Sequence, residues 1–149
     1  MNVQRKVLKT ALALCLISTL VGVGMLSAKP KQKADRPAQP RLIAVRYHAD
    51  WCNPCRTLAP SFDKLRASVQ DEPVLFVTLD FTNDKSKKQA EYLAAVLNLD
   101  EIWKSNGMKT GRVLLIDRAQ NQVVQTLLST DNLKQMQAKL KGVLDIASE

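Results

Sequence analysis

The stretch Trp51-Cys52-Asn53-Pro54-Cys55 is the most informative part of this sequence. Two cysteines lie two residues apart, an apolar strand-like run precedes them, and an amphipathic helical pattern follows. Pro54 suits the first turn of a helix, where its missing N–H group costs no hydrogen bond. The spacing therefore predicts Cys52 at the start of a helix and Cys55 one turn into it.

This placement of the cysteines suits thiol–disulfide exchange. The attacking group is a thiolate, and a free cysteine with its usual pKa of about 8.5 is mostly protonated at neutral pH. Unpaired backbone N–H groups and the helix dipole stabilise an anion at a helix N-terminus. We therefore predict Cys52 as the attacking thiol and Cys55 as the resolving thiol that releases a mixed disulfide. A bridge over so short a loop constrains the unfolded chain little, which favours redox chemistry over a structural role.

The chain has 149 residues, enough for one domain, and a net charge of +8 that is unevenly distributed. Residues 1–28 carry three basic side chains and no acidic ones, and residues 29–41 carry five basic and one acidic. Residues 42–149 carry fourteen basic and thirteen acidic side chains. Because the excess of positive charge lies outside the predicted domain, binding to nucleic acid is disfavoured.

Residues 1–28 resemble a targeting segment. A basic start precedes Thr10 to Ala28, a stretch without a charged residue. This pattern predicts an export signal or an N-terminal membrane anchor, with the following residues outside the cytoplasm. The length is close to the roughly twenty residues needed to span a bilayer. Leu26 also stands where a cleavage site prefers a small residue, so an anchor formed by residues 10–28 is favoured and a cleaved signal is the alternative.

Residues 29–41 contain three prolines, mostly positive charge and no large apolar residue before Arg41. Such a segment cannot bury a core, so it is predicted to be an extended linker. The expected organisation is therefore a signal or anchor over 1–28, a linker over 29–41 and one domain over 42–149.

Residues 42–149 carry the pattern of an α/β domain with the order β-α-β-α-β-β-α. A helix long enough to cross between the first two strands makes them parallel, and a short polar turn makes the last two an antiparallel hairpin. The expected fold is a four-stranded mixed sheet with helices on both faces. The predicted strands are 42–47, 74–79, 113–116 and 123–128. Helical patterns run over 56–69 and 85–97, and a last helix is capped by Thr130 or Asp131. Residues 98–107 are expected to be irregular, with a short helical turn around 101–104.

The segment from Asp50 to Arg56, behind a strand and before a helix that contains Pro60, resembles the active-site motif of the thioredoxin family. The element order over 42–149 is similar to that family's core. The resemblance implies a protein thiol–disulfide oxidoreductase with a redox-active Cys52–Cys55 disulfide and with no cofactor or bound metal. It also implies that Trp51, Asn53 and Pro54 shape the site.

Two positions depart from the family's pattern. Arg46 stands six residues before the first cysteine, where the family often buries an aspartate that accepts a proton; His48, Asp80 or water would then serve Cys55. Thr110 and Gly111 occupy the place of a cis-proline that in the family helps to hold substrate and limits metal binding. We therefore include Arg46, His48, Thr110 and Gly111 among the residues that shape the site.

The sequence favours an exported, membrane-tethered oxidoreductase that acts on protein thiols and disulfides in the periplasm or an equivalent compartment. A membrane redox partner is a further candidate, and the direction of electron flow stays open. One alternative is a thioredoxin-fold binding module with weak redox activity. The other is a metal-delivery module, since two thiolates and His48 suit a soft ion such as Cu(I).

Overall fold

The computed structural model describes residues 39–146, and eight helices and strands lie within that range. They are β1 (Leu42–His48), α1 (Asn53–Ser68), β2 (Val74–Asp80), α2 (Asp84–Val96), α3 (Asp100–Asn106), β3 (Arg112–Asp117), β4 (Gln122–Leu128) and α4 (Leu133–Ile146).

The strands form one sheet in the order β2-β1-β3-β4. Strands β1 and β2 are parallel, from the pair Leu42 and Val74 to the pair His48 and Asp80. Strand β3 pairs antiparallel with both β1 and β4. The predicted mixed sheet, its parallel pair and its C-terminal hairpin are confirmed. Strand β1 is central, and its carboxyl end leads directly to the cysteine motif.

Helices cover both faces of the sheet, as predicted. Alternate residues of β1 point to opposite faces, so that Ala44 belongs to one apolar cluster and Val45 to the other. One cluster joins the sheet to α1 and α4 and includes Phe62 and Met136. The other joins it to α2 and α3 and includes both Cys52 and Cys55. The first turn of α1, with the cysteines, therefore packs in the cluster of α2 and α3, whereas the rest of α1 packs in the other cluster.

Helix α1 begins at the cysteine motif, as the position of Pro54 predicted, and three residues before the apolar helical pattern that starts at Arg56. Cys52 is its N-cap, with extended backbone angles of −88° and 110°. Pro54 lies in the first turn, where the absence of its N–H group leaves no bond unmade. The helical periodicity of the apolar residues begins only after Cys55, which is why the pattern indicated a later start.

Two details of the fold differ from prediction. Helix α3 is a full short helix where the sequence indicated irregular chain with one helical turn. The cap of α4 is Asn132, so the prediction of Thr130 or Asp131 was wrong. Asn132 Oδ1 accepts the Gln135 N–H at 3.0 Å, and Gln135 Oε1 accepts the Asn132 N–H at 2.9 Å. This reciprocal pair satisfies two donors of the first turn.

The N-terminal predictions lie mostly outside the described residues. The segment 10–28 and the linker up to residue 38 belong to that part. Among residues 39–146, no helix combines the length and the apolar character needed to cross a bilayer. Arg41, at the end of the predicted linker, already bonds to the domain: its N–H donates to Pro73 O at 2.8 Å, and its carbonyl accepts the Arg118 N–H at 3.0 Å.

Candidate active site

Cys52 and Cys55 form a disulfide at the N-terminus of α1, with their Cα atoms 5.2 Å apart. Cys52 is 6% exposed and Cys55 is 1% exposed. Of the two sulfur atoms, the one on Cys52 is therefore the one that a second molecule can approach. The structure brings together the two residues that the sequence singled out.

The two sulfur atoms have different hydrogen-bonding neighbours. The backbone N–H of Cys55 donates to Cys52 Sγ at 3.2 Å. Cys55 Sγ instead lies 3.6 Å from the carbonyl oxygen of Tyr47, which is an acceptor. When the disulfide is reduced, a donor stabilises a thiolate on Cys52, whereas an acceptor favours the protonated thiol on Cys55. Backbone hydrogen-bonding groups thus favour the thiolate at Cys52 and the protonated thiol at Cys55.

Gly111 lies directly against the cysteine motif. Its N–H donates to the Tyr47 carbonyl at 2.9 Å, and its φ is +81°. A Cβ atom built at this position would lie 2.7 Å from Pro54 Cβ and 3.6 Å from Cys52 Sγ. The close approach and the left-handed backbone both require glycine. Half-buried Thr110 precedes it, and every peptide bond in the described range is trans.

Trp51 stands at the surface beside the disulfide and is 61% exposed. Its indole Nε1–H donates to the carbonyl oxygen of Thr82 at 3.2 Å, and the N–H of Asp50 donates to Thr82 Oγ1 at 3.0 Å. Thr82 therefore holds the residues that precede Cys52 by two separate bonds. No sequence motif marks this role of Thr82. Its position just after β2 could have indicated this contact, because β1 and β2 are parallel and the residues that follow them meet at the same edge of the sheet.

Asp80 orients Thr82. Its Oδ1 accepts both the Thr82 N–H at 2.8 Å and the Thr82 hydroxyl proton at 2.6 Å. Because a hydroxyl has one proton, the bond to Asp80 leaves a lone pair of Oγ1 to accept the Asp50 N–H. Burial by itself would raise the pKa of Asp80, but the two Thr82 hydrogen bonds and the charges of His48 and Arg46 outweigh it and lower the pKa.

His48 lies opposite Asp80 in the parallel register and contacts Asp50, with 3.2 Å between Nε2 and Oδ1. Its Nδ1 is buried without a hydrogen-bond partner in the described part of the chain. The hydrogen-bonding neighbour of Cys55 Sγ is the Tyr47 carbonyl rather than His48 or Asp80. Within residues 39–146, no three His, Cys, Asp or Glu side chains are grouped so that they could bind a metal ion.

Arg46 points into the domain on the α1 face of the sheet. Its guanidinium carbon lies 5.0 Å from the centroid of the Phe62 ring, a cation–π arrangement. Its Nε is buried and has no hydrogen-bond acceptor among the residues that the structure describes. A positive charge therefore lies below the helix that begins at the cysteines.

Arg56 links the first turn of α1 to the preceding loop. Its Nη1 donates to the Asp50 carbonyl at 2.9 Å, and its Nη2 donates to Asn53 Oδ1 at 3.1 Å. Asn53 and Arg56 are three residues apart on a helix, a spacing at which side chains meet. In the sequence Arg56 is only the residue that follows the second cysteine, and the structure shows that it bonds to Asp50 and Asn53.

The thioredoxin family model matches residues 31–99. The chain contains a thioredoxin-like domain. Human thioredoxin domain-containing protein 2 is 41% identical over 59 residues, which cover 40% of this chain and 10% of that protein. The thioredoxin of Echinococcus granulosus is 32% identical over 74 residues, which cover 50% of this chain and 65% of that protein.

The crystal structure of StoA from Bacillus subtilis superposes with a TM-score of 0.49 and 17% identity over 70% of this chain and 85% of that one. The chain spans less than two thirds of the length of both curated relatives. The family model and the curated relatives identify the thioredoxin-like domain, and they leave activity, substrates and partners to be proposed.

The lowered pKa of Asp80 predicts how the stability of the thioredoxin-like domain depends on pH. Folding favours the ionised carboxylate, so this stabilisation is present above the unfolded pKa of about 3.9 and is lost as the pH falls through the folded pKa. We expect the free energy of unfolding, measured by urea titration, to decrease less between pH 5 and about pH 2 in Asp80→Asn, which keeps an acceptor oxygen, than in the unmodified chain. Thr82→Val should reduce the pH dependence in the same direction. Identical pH dependence in all three proteins would contradict the assignment.

The packing of Gly111 predicts opposite effects of two glycine-to-alanine substitutions. Gly111→Ala adds a Cβ 2.7 Å from Pro54 Cβ at a φ of +81°, and we expect it to destabilise the domain by about 1–3 kcal/mol. Gly142 lies inside α4, and its Cβ would meet no atom within 4 Å. Gly142→Ala should stabilise by about 0.5–1 kcal/mol through helix propensity. Urea denaturation measures both, and an unchanged stability of Gly111→Ala would contradict the close packing.

Proposed function

We propose that the chain is a thiol–disulfide oxidoreductase that acts on protein thiols and disulfides through Cys52 and Cys55. The observation that carries this proposal is the unlike environment of the two sulfur atoms. Cys52 Sγ accepts an N–H at 3.2 Å and is the more exposed of the pair. Cys55 Sγ is buried against a carbonyl oxygen. A structural bridge needs no such difference, whereas a nucleophile and a resolving thiol do.

In the reducing direction, the Cys52 thiolate attacks one sulfur of a partner's disulfide. A bond forms between Cys52 Sγ and that sulfur, the partner's S–S bond breaks, and the partner's second sulfur leaves as a thiolate. Cys55 then loses its proton and attacks Cys52 Sγ, which closes the Cys52–Cys55 disulfide and releases the partner's first sulfur as a second thiolate. Two electrons pass from this chain to the partner. The same steps in reverse oxidise a dithiol, and the relative reduction potentials set the direction.

The surrounding residues suit a protein substrate. Trp51 presents an exposed apolar ring beside Cys52, which offers a partner chain a flat surface next to the reacting sulfur. Pro54 and Asn53 form the first turn that supplies the N–H to Cys52. We propose that water takes the proton of Cys55, because its hydrogen-bonding neighbour, the Tyr47 carbonyl, is not a base.

The binding-module alternative draws support from Gly111, which stands where the family has its cis-proline and whose N–H is already bonded to Tyr47. A cysteine pair with weak or lost redox function is expected to have a reduction potential outside the range of known exchange proteins. For the oxidoreductase, redox titration against glutathione should give a midpoint within the range of known exchange proteins, about −270 to −120 mV.

Substitution of each cysteine tests the proposed function directly. In the full-length chain, we expect Cys52→Ser to abolish reduction of a protein disulfide such as insulin, because the attacking sulfur is lost. Cys55→Ser should instead accumulate a stable mixed disulfide, visible as a covalent adduct by mass spectrometry. Cys15→Ser is the control and should keep full activity. The proposal is wrong if both site variants retain the activity of the unmodified chain.

We propose further that residues 1–28 direct the domain out of the cytoplasm and that residues 10–28 tether it to the membrane. The support is the basic start followed by a charge-free stretch. A fusion of residues 1–41 to a phosphatase that is active only outside the cytoplasm should show activity, and replacing Leu20 by Arg should reduce it. The mass of the full-length product then separates a tether, which keeps all 149 residues, from a cleaved signal. An inactive fusion would refute export.

A further inference from the structure

Residues 107–111 connect α3 to β3 and border the disulfide; we refer to them as the 107–111 segment. Both of its ends are glycines with positive φ, +56° at Gly107 and +81° at Gly111. Met108 and Lys109 between them are exposed. Glycines in this conformation offer little resistance to a change of backbone angle. The conformation of the segment therefore depends on the contacts that hold it.

The side chain of Arg112 supplies three of these contacts. Its Nε donates to the Lys109 carbonyl at 3.0 Å. Its Nη2 lies 3.2 Å from Asn106 Oδ1 and 3.4 Å from the Asn106 carbonyl, and donates to both. One planar guanidinium thus binds the residue before the segment and a residue in its middle. A guanidinium suits this task because its donors have a fixed relative geometry.

Arg112 is itself held in place by the core of the site. It is the first residue of β3, and its guanidinium carbon lies 5.8 Å from the centroid of the Tyr47 ring. Tyr47 is 1% exposed, and its carbonyl oxygen accepts the Gly111 N–H and faces Cys55 Sγ. Side chain and backbone of Tyr47 thereby fix both Arg112 and Gly111.

We propose that Arg112 is a positioning residue for the oxidoreductase: it holds the 107–111 segment beside Cys52, so that a protein substrate meets an ordered surface. This inference rests on the proposed function. The ideal Cβ position of Gly111 is 3.6 Å from Cys52 Sγ, so a polypeptide that brings a sulfur to Cys52 passes along this segment. If the segment is ordered before the substrate binds, less conformational entropy is lost on binding. A small disulfide compound contacts less of the segment than a protein substrate does, so its binding depends less on this order.

The first test measures the segment without reference to activity. Lysyl endopeptidase cleaves after Lys109, the residue whose carbonyl accepts from Arg112. In the full-length oxidised protein, we expect cleavage at Lys109 to be about five- to tenfold faster in Arg112→Met than in the unmodified chain. Arg112→Lys keeps the charge but lacks the planar set of guanidinium donors, so it should restore only part of the protection from cleavage. Arg66→Met removes an equally charged, exposed residue from the end of α1 and should not change the rate.

The second test separates substrate positioning from thiol chemistry. Reduction of insulin and reduction of a small aromatic disulfide are measured with the same proteins. In Arg112→Met, we expect the ratio of kcat/KM for insulin to kcat/KM for the small disulfide to fall about fivefold, through KM for insulin. Arg112→Lys should recover part of this ratio, and Arg66→Met should retain the ratio of the unmodified chain.

The outcomes are distinguishable. Unchanged cleavage at Lys109 in Arg112→Met would overturn the proposal, because the segment would not depend on Arg112. Equal losses with both disulfides, together with a shifted reduction potential of the cysteine pair, would also overturn it, since Arg112 would then act on the cysteines. If the unmodified chain reduced neither disulfide, the proposed function would fail and the positioning role with it, whatever the cleavage assay showed about the segment.

Discussion

The carbonyl oxygen of Tyr47 is the atom on which the arrangement of the site depends. It accepts the Gly111 N–H at 2.9 Å and lies 3.6 Å from Cys55 Sγ, so it joins the segment before β3 to the buried sulfur. A carbonyl oxygen has two lone pairs and can serve both groups at once. Tyr47 is near the end of the central strand, where pairing with β2 on one side and β3 on the other leaves the oxygen little freedom to move. Its position is therefore set by the whole sheet rather than by the loop that contains the cysteines.

The parallel pairing of β1 and β2 supplies the second constraint. Because the two strands run in the same direction, the residues that follow them meet at one edge of the sheet. Asp80 orients the Thr82 hydroxyl, and Thr82 in turn holds Asp50 and Trp51. The cysteine motif is thus supported from below by Tyr47 and from the side by β2. Neither support is part of the motif. The Tyr47 carbonyl faces Cys55 Sγ and the Thr82 carbonyl accepts the Trp51 indole N–H, while the Thr82 hydroxyl oxygen accepts the Asp50 N–H.

The sequence predicted the elements whose information is local. Apolar patterning located all four strands, and the spacing of the cysteines around Pro54 located the helix start, because these features depend on neighbouring residues. The roles of Thr82 and Arg112 are not visible in the sequence. Thr82 acts on residues about thirty positions away, and Arg112 acts on backbone carbonyls that no side-chain pattern reveals. The cap of α4 was wrong for a related reason. Thr130, Asp131 and Asn132 are all good caps, and the reciprocal bond with Gln135 decides among them.

The departures from the thioredoxin pattern are Gly111 and Arg46, and they change how the site is stabilised. A proline restricts the backbone covalently, whereas Gly111 adds freedom and is fixed by a hydrogen bond to Tyr47 and by the contact with Pro54. Arg46 in place of an acid cannot accept a proton from Cys55. Its guanidinium lies over the ring of Phe62, and its charge helps to lower the pKa of Asp80. The ionised Asp80 orients the Thr82 hydroxyl, which in turn accepts the Asp50 N–H. Arg46 therefore acts on the cysteine motif through Asp80 and Thr82.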